Sequence, residues 1–300
     1  MRLFAPLILP ALIAALLAGC ATAPVEPTAP VQPPATPAAK VLPRIGLALG
    51  GGAARGFAHV GVIQVLEEAG IRPNLVAGTS AGSLVAAIYA SGKNGAQLQQ
   101  VAETMEEAAI ADWSLQIFTR GALRGEALAR YVNSQVNSRL IENMPLPLGI
   151  VATDLNSGAD MLFQRGDTGT AVRASSSVPA VFQPVRISGR DYVDGGLVSP
   201  VPVRAARKMG ADLVIAVDIS SPPEGGAASG TLDILLQTFT IMGKSINTFE
   251  LKDADVVVRP ALLGVSSADF SARKRSIEAG RQAMLQALPQ LKSAIAAKTR

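Results

Sequence analysis

The stretch AGTSAGSLVAAIYA, residues 77–90, sets Ser80 between Gly78 and Gly82 and runs straight into an apolar segment. Gly-x-Ser-x-Gly where a strand meets a helix is the pattern of a serine nucleophile. A tight turn there pushes the side chain outward, and the two glycines let neighbouring backbone pass close by. The helix that follows aims its free N–H groups and the positive end of its dipole at the serine. Negative charge growing beside Ser80, including on an attacked carbonyl oxygen, is therefore favoured. Five residues alone also fit a plain Gly-Ser turn, so the surrounding elements must decide.

A second segment, GLALGGGAARGFAHVG (residues 46–61), places Gly50, Gly51 and Gly52 at the end of an apolar run. Amides converging there can hold a phosphate or the oxyanion of a tetrahedral intermediate. The phosphate reading lacks the Lys-Ser/Thr end of a P-loop. It also lacks an acidic residue at the end of the second strand, where a ribose-binding carboxylate belongs. An oxyanion hole beside Ser80 is the simpler reading. The proton acceptor is less clear. The chain has one histidine, His59, placed on the first helix shortly after the glycines. A lone histidine there is more often structural than catalytic. A carboxylate held in a dry site can serve instead, and Asp154, Asp191, Asp194 and Asp218 all fall near strand ends. Asp194 stands out because it follows RDYV and precedes Gly195-Gly196, a sterically open corner. Each of these aspartates could equally cap a turn, and residue chemistry alone leaves the choice open.

The elements that must position these groups alternate. RIGLALG, NLVAGTS, LGIVATDL, DLVIAVDIS and ADVVVRP read as buried strands, and MLFQRG as a hairpin partner of the third. VRISGRDYVDGG holds two strand pieces around a Ser-Gly turn. The segments after Gly56 and Ser80, much of 95–140, TAVRASSS, VRAARKMG, 231–250 and 273 to the end read as helices. Strand–helix–strand–helix with short connections predicts an α/β domain with a mainly parallel sheet and helices on both faces. The first two strands lie side by side, so the glycines and Ser80 face one crevice. The last helix carries Arg273, Lys274, Arg275, Arg281 and Lys292 beside Ile277, Met284, Leu285, Leu288 and Leu291. It either covers the sheet or touches a membrane surface, and covering the sheet is the commoner use.

Residues 1–20, MRLFAPLILPALIAALLAGC, have one early charge, an apolar run and small residues before Cys20. This is the layout of a secretory leader, and LAGC resembles a bacterial lipobox whose cysteine accepts a diacylglycerol group. Ala21 rather than Asp after it favours the outer membrane over inner-membrane retention. The expectation is a lipid-anchored envelope protein, facing the periplasm of a Gram-negative bacterium. Residues 21–40 are mostly Ala, Pro and Thr, the composition of an extended, disordered tether. The Gly-rich stretch 222–230 is expected to be mobile. The folded domain is then 41–300, within the size of one large α/β unit. Net charge is +4 without long basic runs, which argues against a nucleic-acid partner. One Cys and one His argue against a transition-metal site, while carboxylate-only sites for harder ions stay open. The oligomeric state is not readable.

Taken in order, GGGAARG, GTSAG, ATDLNSG, RASSSVPAVFQPV and YVDGG resemble the bacterial branch of the patatin-like phospholipase family, over about 44–220. The resemblance implies a single three-layer patatin-like domain and a Ser-Asp pair without histidine, here Ser80 and Asp194, with His59 structural. It implies a lipid acyl hydrolase acting on carboxylic esters of phospholipids or lysophospholipids, with no cofactor and no metal. A thioesterase or acyltransferase on the same pair, or a non-catalytic lipid-binding lipoprotein, are the alternatives. The family's oxyanion loop commonly reads Gly-Gly-Gly-x-Arg-Gly. Here an extra alanine precedes Arg55 and Gly56, so the register can be counted forward from Gly50 or back from Arg55. The donors expected are the amides of Gly51, Gly52, Ala53 and Ala81, with Arg55 orienting the loop. The family often has Asn after DGGLV, where this chain has Ser199.

Overall fold

Side chains of the central strands alternate between two unlike faces. On β1 (Ile45–Leu49) and β7 (Leu213–Val217), Leu47, Leu49, Leu213, Ile215 and Val217 join one apolar cluster, whereas Ala48, Val214 and Ala216 join another. Both faces are thus dry, which is why these strands read as unbroken apolar runs. The larger side chains meet α1 (Ala58–Glu68), α2 (Ala81–Ala90) and α8 (Arg273–Lys298). The smaller ones meet α6 (Val203–Lys208). The result is the three-layer α/β arrangement expected.

The computed structural model describes residues 40–106, 123–220, 230–266 and 268–300. Residues 1–39, with the leader, Cys20 and nearly all of the 21–40 tether, lie outside the described residues, as do 222–229 of the Gly-rich stretch. Residues 40–300 make one compact unit.

The parallel strands run β3 (Leu148–Asp154), β2 (Leu75–Thr79), β1, β7 and β8 (Val256–Val258). The pairing of β1 with β2 puts the two glycine-rich turns side by side, as expected. Three antiparallel strands complete the sheet: β4 (Asp160–Phe163), β5 (Val185–Ile187) and β6 (Arg190–Asp194). Their attachment to β3 decides the geometry of the site. Val151 pairs with both Thr79 and Leu162, so β2 and β4 lie on opposite edges of β3. Thr153 pairs with both Asp160 and Val193, so β4 and β6 also lie on opposite edges. It follows that β2 and β6 share one edge of β3. The C-terminal end of β2 lies opposite Val151 and that of β6 opposite Ala152, in consecutive registers.

The remaining helices are α3 (Gly95–Thr104), α4 (Glu126–Gln135), α5 (Thr168–Ser175) and α7 (Thr231–Glu250). The C-terminal helix α8 covers the sheet. It packs on α1 and over β7 and β8, burying Ile277, Met284 and Leu291. Its contact with α1 is backbone-close, since a Cβ on Gly61 would lie 1.9 Å from the Ile277 carbonyl oxygen.

Candidate active site

Ser80 sits between the end of β2 and the first residue of α2, with φ 52° and ψ −123°. That backbone is rare for an L-residue and costs about 1–3 kcal/mol. The surroundings hold it there. The Ser80 amide donates to Ser175 Oγ at 2.8 Å, and Ser175 donates onward to the Val151 carbonyl at 2.5 Å. Ser83 Oγ donates to the Ser80 carbonyl at 2.6 Å. Gly82 is required by close approach, because a Cβ there would lie 2.1 Å from the Leu49 carbonyl oxygen.

Ser80 Oγ donates to Asp194 Oδ2 at 2.7 Å. Of the four aspartates near strand ends, Asp194 is the one the fold brings to the serine. Its other carboxylate oxygen accepts from the Gly196 amide at 2.7 Å, its own amide donates to Ser177, and its carbonyl accepts from Thr153 Oγ1. Gly195 can have no side chain, since a Cβ would lie 2.2 Å from the Val151 carbonyl oxygen. Asp194 is 6 % exposed. Burial pushes its carboxyl up to about 6, although the Ser80 and Gly196 bonds pull the other way.

The other aspartates are spoken for. Asp154 accepts from Arg190 at 2.8 Å and from the turn amides of Asn156 and Ser157, and the Arg190 guanidinium holds its carboxyl below the ordinary range. Asp191 lies 3.7 Å from Arg186. Asp218 pairs with Arg259 at 3.2 Å and accepts from Ser220. His59 is fully buried, and its Nε2 lies 2.8 Å from the Gly50 carbonyl. A carbonyl only accepts, so Nε2 carries the proton; Nδ1 is unpaired. Burial lowers this imidazole to about 4, against the raising effect of the Gly50 bond. His59 therefore braces the glycine turn.

That turn runs over Ser80: a Cβ on Gly51 would stand 3.1 Å from Ser80 Cβ. One expected donor drops out. The Gly51 amide already donates to the Pro200 carbonyl at 2.9 Å, and the Gly50 amide to Val217. The amides of Gly52, Ala53 and Ala81 have no acceptor among the described residues. Ala53 has φ 49°, the left-handed region that favours glycine. The register therefore counts back from Arg55, with Ala53 where the third glycine is usual. Arg55 Nε donates to the Gly52 carbonyl at 3.3 Å, the orienting contact expected of it.

Four supporting side chains were not foreseen. Ser175 holds the Ser80 amide. Thr79 Oγ1 donates to the Ser199 carbonyl at 2.8 Å. Ser199 Oγ in turn donates to the buried Glu250 at 2.6 Å. Ser175 lies in the quoted RASSS block, but nothing in that block says which serine turns inward. Glu250 closes a long helix and gives no local signal at all.

A cavity of about 320 Å³ opens on Ser80. Ala53 and Ala81 line it at the serine, and Leu84, Ile88, Met105 and Phe182 further in. It has the size and apolar character of a site for a hydrophobic ligand. Among the described residues no cluster of His, Cys, Asp and Glu could hold a metal ion.

Known proteins resemble this chain in sequence and in fold. The profile of patatin-like phospholipases matches residues 47–207. An uncharacterized NTE family protein of Mycobacterium tuberculosis is 35% identical over 203 residues, which is 68% of this chain and 56% of that protein. Patatin-like phospholipase domain-containing protein 6 of Homo sapiens is 34% identical over 186 residues, 60% of this chain and 14% of that protein. The chain thus spans about half the length of the mycobacterial relative. Among solved structures, VipD from Legionella pneumophila shares the fold, with a TM-score of 0.57 at 16% identity, covering 83% of this chain and 68% of that one. With the profile covering more than half of its residues, the chain belongs to the patatin-like phospholipase family.

Proposed function

We propose that the chain is a serine hydrolase that cleaves carboxylic esters of phospholipids or lysophospholipids with Ser80 and Asp194. The observation that carries this reading is the 2.7 Å bond from Ser80 Oγ to a buried carboxylate, beneath unpaired amides and at the mouth of an apolar cavity. Asp194 accepts the serine proton as Oγ attacks the ester carbonyl. The carbonyl electron pair moves onto oxygen, where the amides of Gly52, Ala53 and Ala81 receive it. One such donor is worth about 3–4 kcal/mol in other hydrolases. The bond to the alcohol then breaks, and the alcohol leaves with the proton from Asp194. Water attacks the acyl-serine, Asp194 takes its proton, and that proton returns to Ser80 as the fatty acid departs. The apolar cavity takes the acyl chain.

The same reading makes the chain a lipoprotein, acylated at Cys20, cleaved from residues 1–19 and held at the envelope by the 21–40 tether. Outer-membrane attachment facing the periplasm follows from Ala21. Cys20→Ser should abolish incorporation of a labelled fatty acid; incorporation that persists refutes the anchor.

Purified protein incubated with a panel of phospholipids, lysophospholipids and p-nitrophenyl esters tests the activity. Fatty acid release that disappears in Ser80→Ala is expected. Release that survives Ser80→Ala, or transfer of the acyl group to another alcohol or thiol without hydrolysis, overturns the hydrolase assignment.

A further inference from the structure

A surface helix normally turns its polar residues to water. Helix α7 also turns large apolar residues to water. Its inward side packs on the turn that follows Asp194: a Cβ on Gly243 would lie 3.6 Å from Pro200, and Glu250 accepts from Ser199. Its outward side carries Ile234, Leu235, Ile241, Met242 and Phe249, each 40–60 % exposed. No charged residue lies between Asp233 and Lys244. Half of the exposed large apolar side chains among the described residues belong to this one helix. No described helix is long and apolar enough to cross a membrane, so α7 fits in the plane of an interface rather than across it.

The charge beside this face is positive. Lys244 and Lys252 have no ion-pair partner among the described residues. With the ion pair of Arg259 and Asp218 they line a cavity of about 490 Å³ at the ends of β7 and β8. The Lys252 ammonium stands 5.2 Å from the centre of the Phe249 ring, a cation on an apolar stem at the edge of the patch. In the cavity wall, the buried Asn247 has neither side-chain polar atom paired. An apolar stripe flanked by cations matches acyl chains below anionic headgroups. A second copy of the same face would instead bring like charges to the patch.

We propose that α7 is the docking surface for a bilayer rich in anionic phospholipid, with its outward stripe entering the acyl boundary and Lys244 and Lys252 meeting headgroup phosphates. The inference rests on the lipid-hydrolase reading for its purpose, since the same helix bonds Ser199 and abuts Pro200, whose carbonyl holds the glycine turn. Docking there brings the reaction site to its substrate's surface.

The test uses the full chain with Cys20→Ser and Ile241→Cys, labelled at position 241 with an environment-sensitive fluorophore. Vesicles containing phosphatidylglycerol should shift its emission to the blue, and pure phosphatidylcholine vesicles should shift it far less. Lys244→Glu with Lys252→Glu should remove that preference. A probe at Glu126→Cys on α4 should stay unchanged. In the unlabelled chain, Ile241→Asp with Phe249→Asp should lower turnover of vesicle phospholipid about tenfold. The same pair should leave turnover of a soluble short-chain ester within about twofold of the parent. No shift at position 241 in the presence of bound vesicles overturns the proposal. So does a shift that depends on protein concentration without vesicles, which would mark a self-association face. Equal losses on both substrates also overturn it. A parent chain that hydrolyses nothing would refute the enzymatic reading, while the fluorescence would still decide the docking.

Discussion

Water is largely kept from Asp194, and its carboxyl is pushed up to about 6 from 3.8. A folded-state value above the unfolded one means that the folded chain binds this proton more tightly. Stability from the group is complete below 3.8 and is lost as pH rises through 6, by about 3 kcal/mol. Asp194→Asn should therefore be more stable than the parent at neutral pH and lose that advantage near pH 4, as read by urea melts across this range. His59, held at about 4, acts with the opposite sign: stability present above 6.5 is lost as pH falls towards 4. Both proteins contain it, so their difference isolates the aspartate. The proposed mechanism needs the ionised carboxylate. The kcat/KM for a soluble ester should fall below an apparent pKa near 6, and a folded His59→Gln variant should keep that limb. Strain is measurable at the same scale. Ser80 and Ala53 both have positive φ, so Ser80→Gly and Ala53→Gly should each add about 0.5–1 kcal/mol of stability in denaturant melts. Only the second should stay active.

Elements bring these residues together through contacts too close for side chains. The carbonyls of Leu49 and Ile277 lie where Cβ atoms of Gly82 and Gly61 would be. Gly61→Ala should therefore cost about 3 kcal/mol or more by forcing α1 off α8, read as a lower midpoint in denaturant. Unbroken apolar runs made the central parallel strands legible in the sequence, because both of their faces are buried, and helical spacing marked α1. The nucleophile turn was legible too, since only glycine fits where backbones nearly touch. Which aspartate reaches Ser80 was not legible from residue chemistry. That depends on β6 entering antiparallel beside β3 just past the end of β2, a pairing between distant segments. The resemblance to known sequences supplied Asp194 where local chemistry could not. Gly51 was misjudged for a similar reason: its amide is taken by Pro200, and no sequence pattern announces that bond. The Glu250–Ser199 contact was likewise invisible. Glu250→Ala should lower kcat with little change in KM if it steadies the strand end and glycine turn, and Glu250→Gln should restore most of the loss.

At the scale of the whole molecule, the proposed docking surface and the proposed anchor belong to different parts of the chain. The sequence offers the basic C-terminal helix as a sheet cover, the commoner use, or as a surface that meets lipid. In the structure α8 buries Ile277, Met284 and Leu291 against the sheet, and it is α7 that exposes an uncharged face. The site itself spans the sheet, because Ser80 and Asp194 are 114 residues apart and meet only when β2, β3 and β6 have all assembled. The account stands or falls on proton sharing across that junction. Its most direct measurement is the rate at which a fluorophosphonate modifies Ser80, followed by mass spectrometry of the intact protein. The parent and a folded His59→Gln variant should be modified at similar rates, whereas Asp194→Asn should react about 100-fold more slowly or worse. Normal labelling of Asp194→Asn, or loss of labelling in His59→Gln alone, would contradict it.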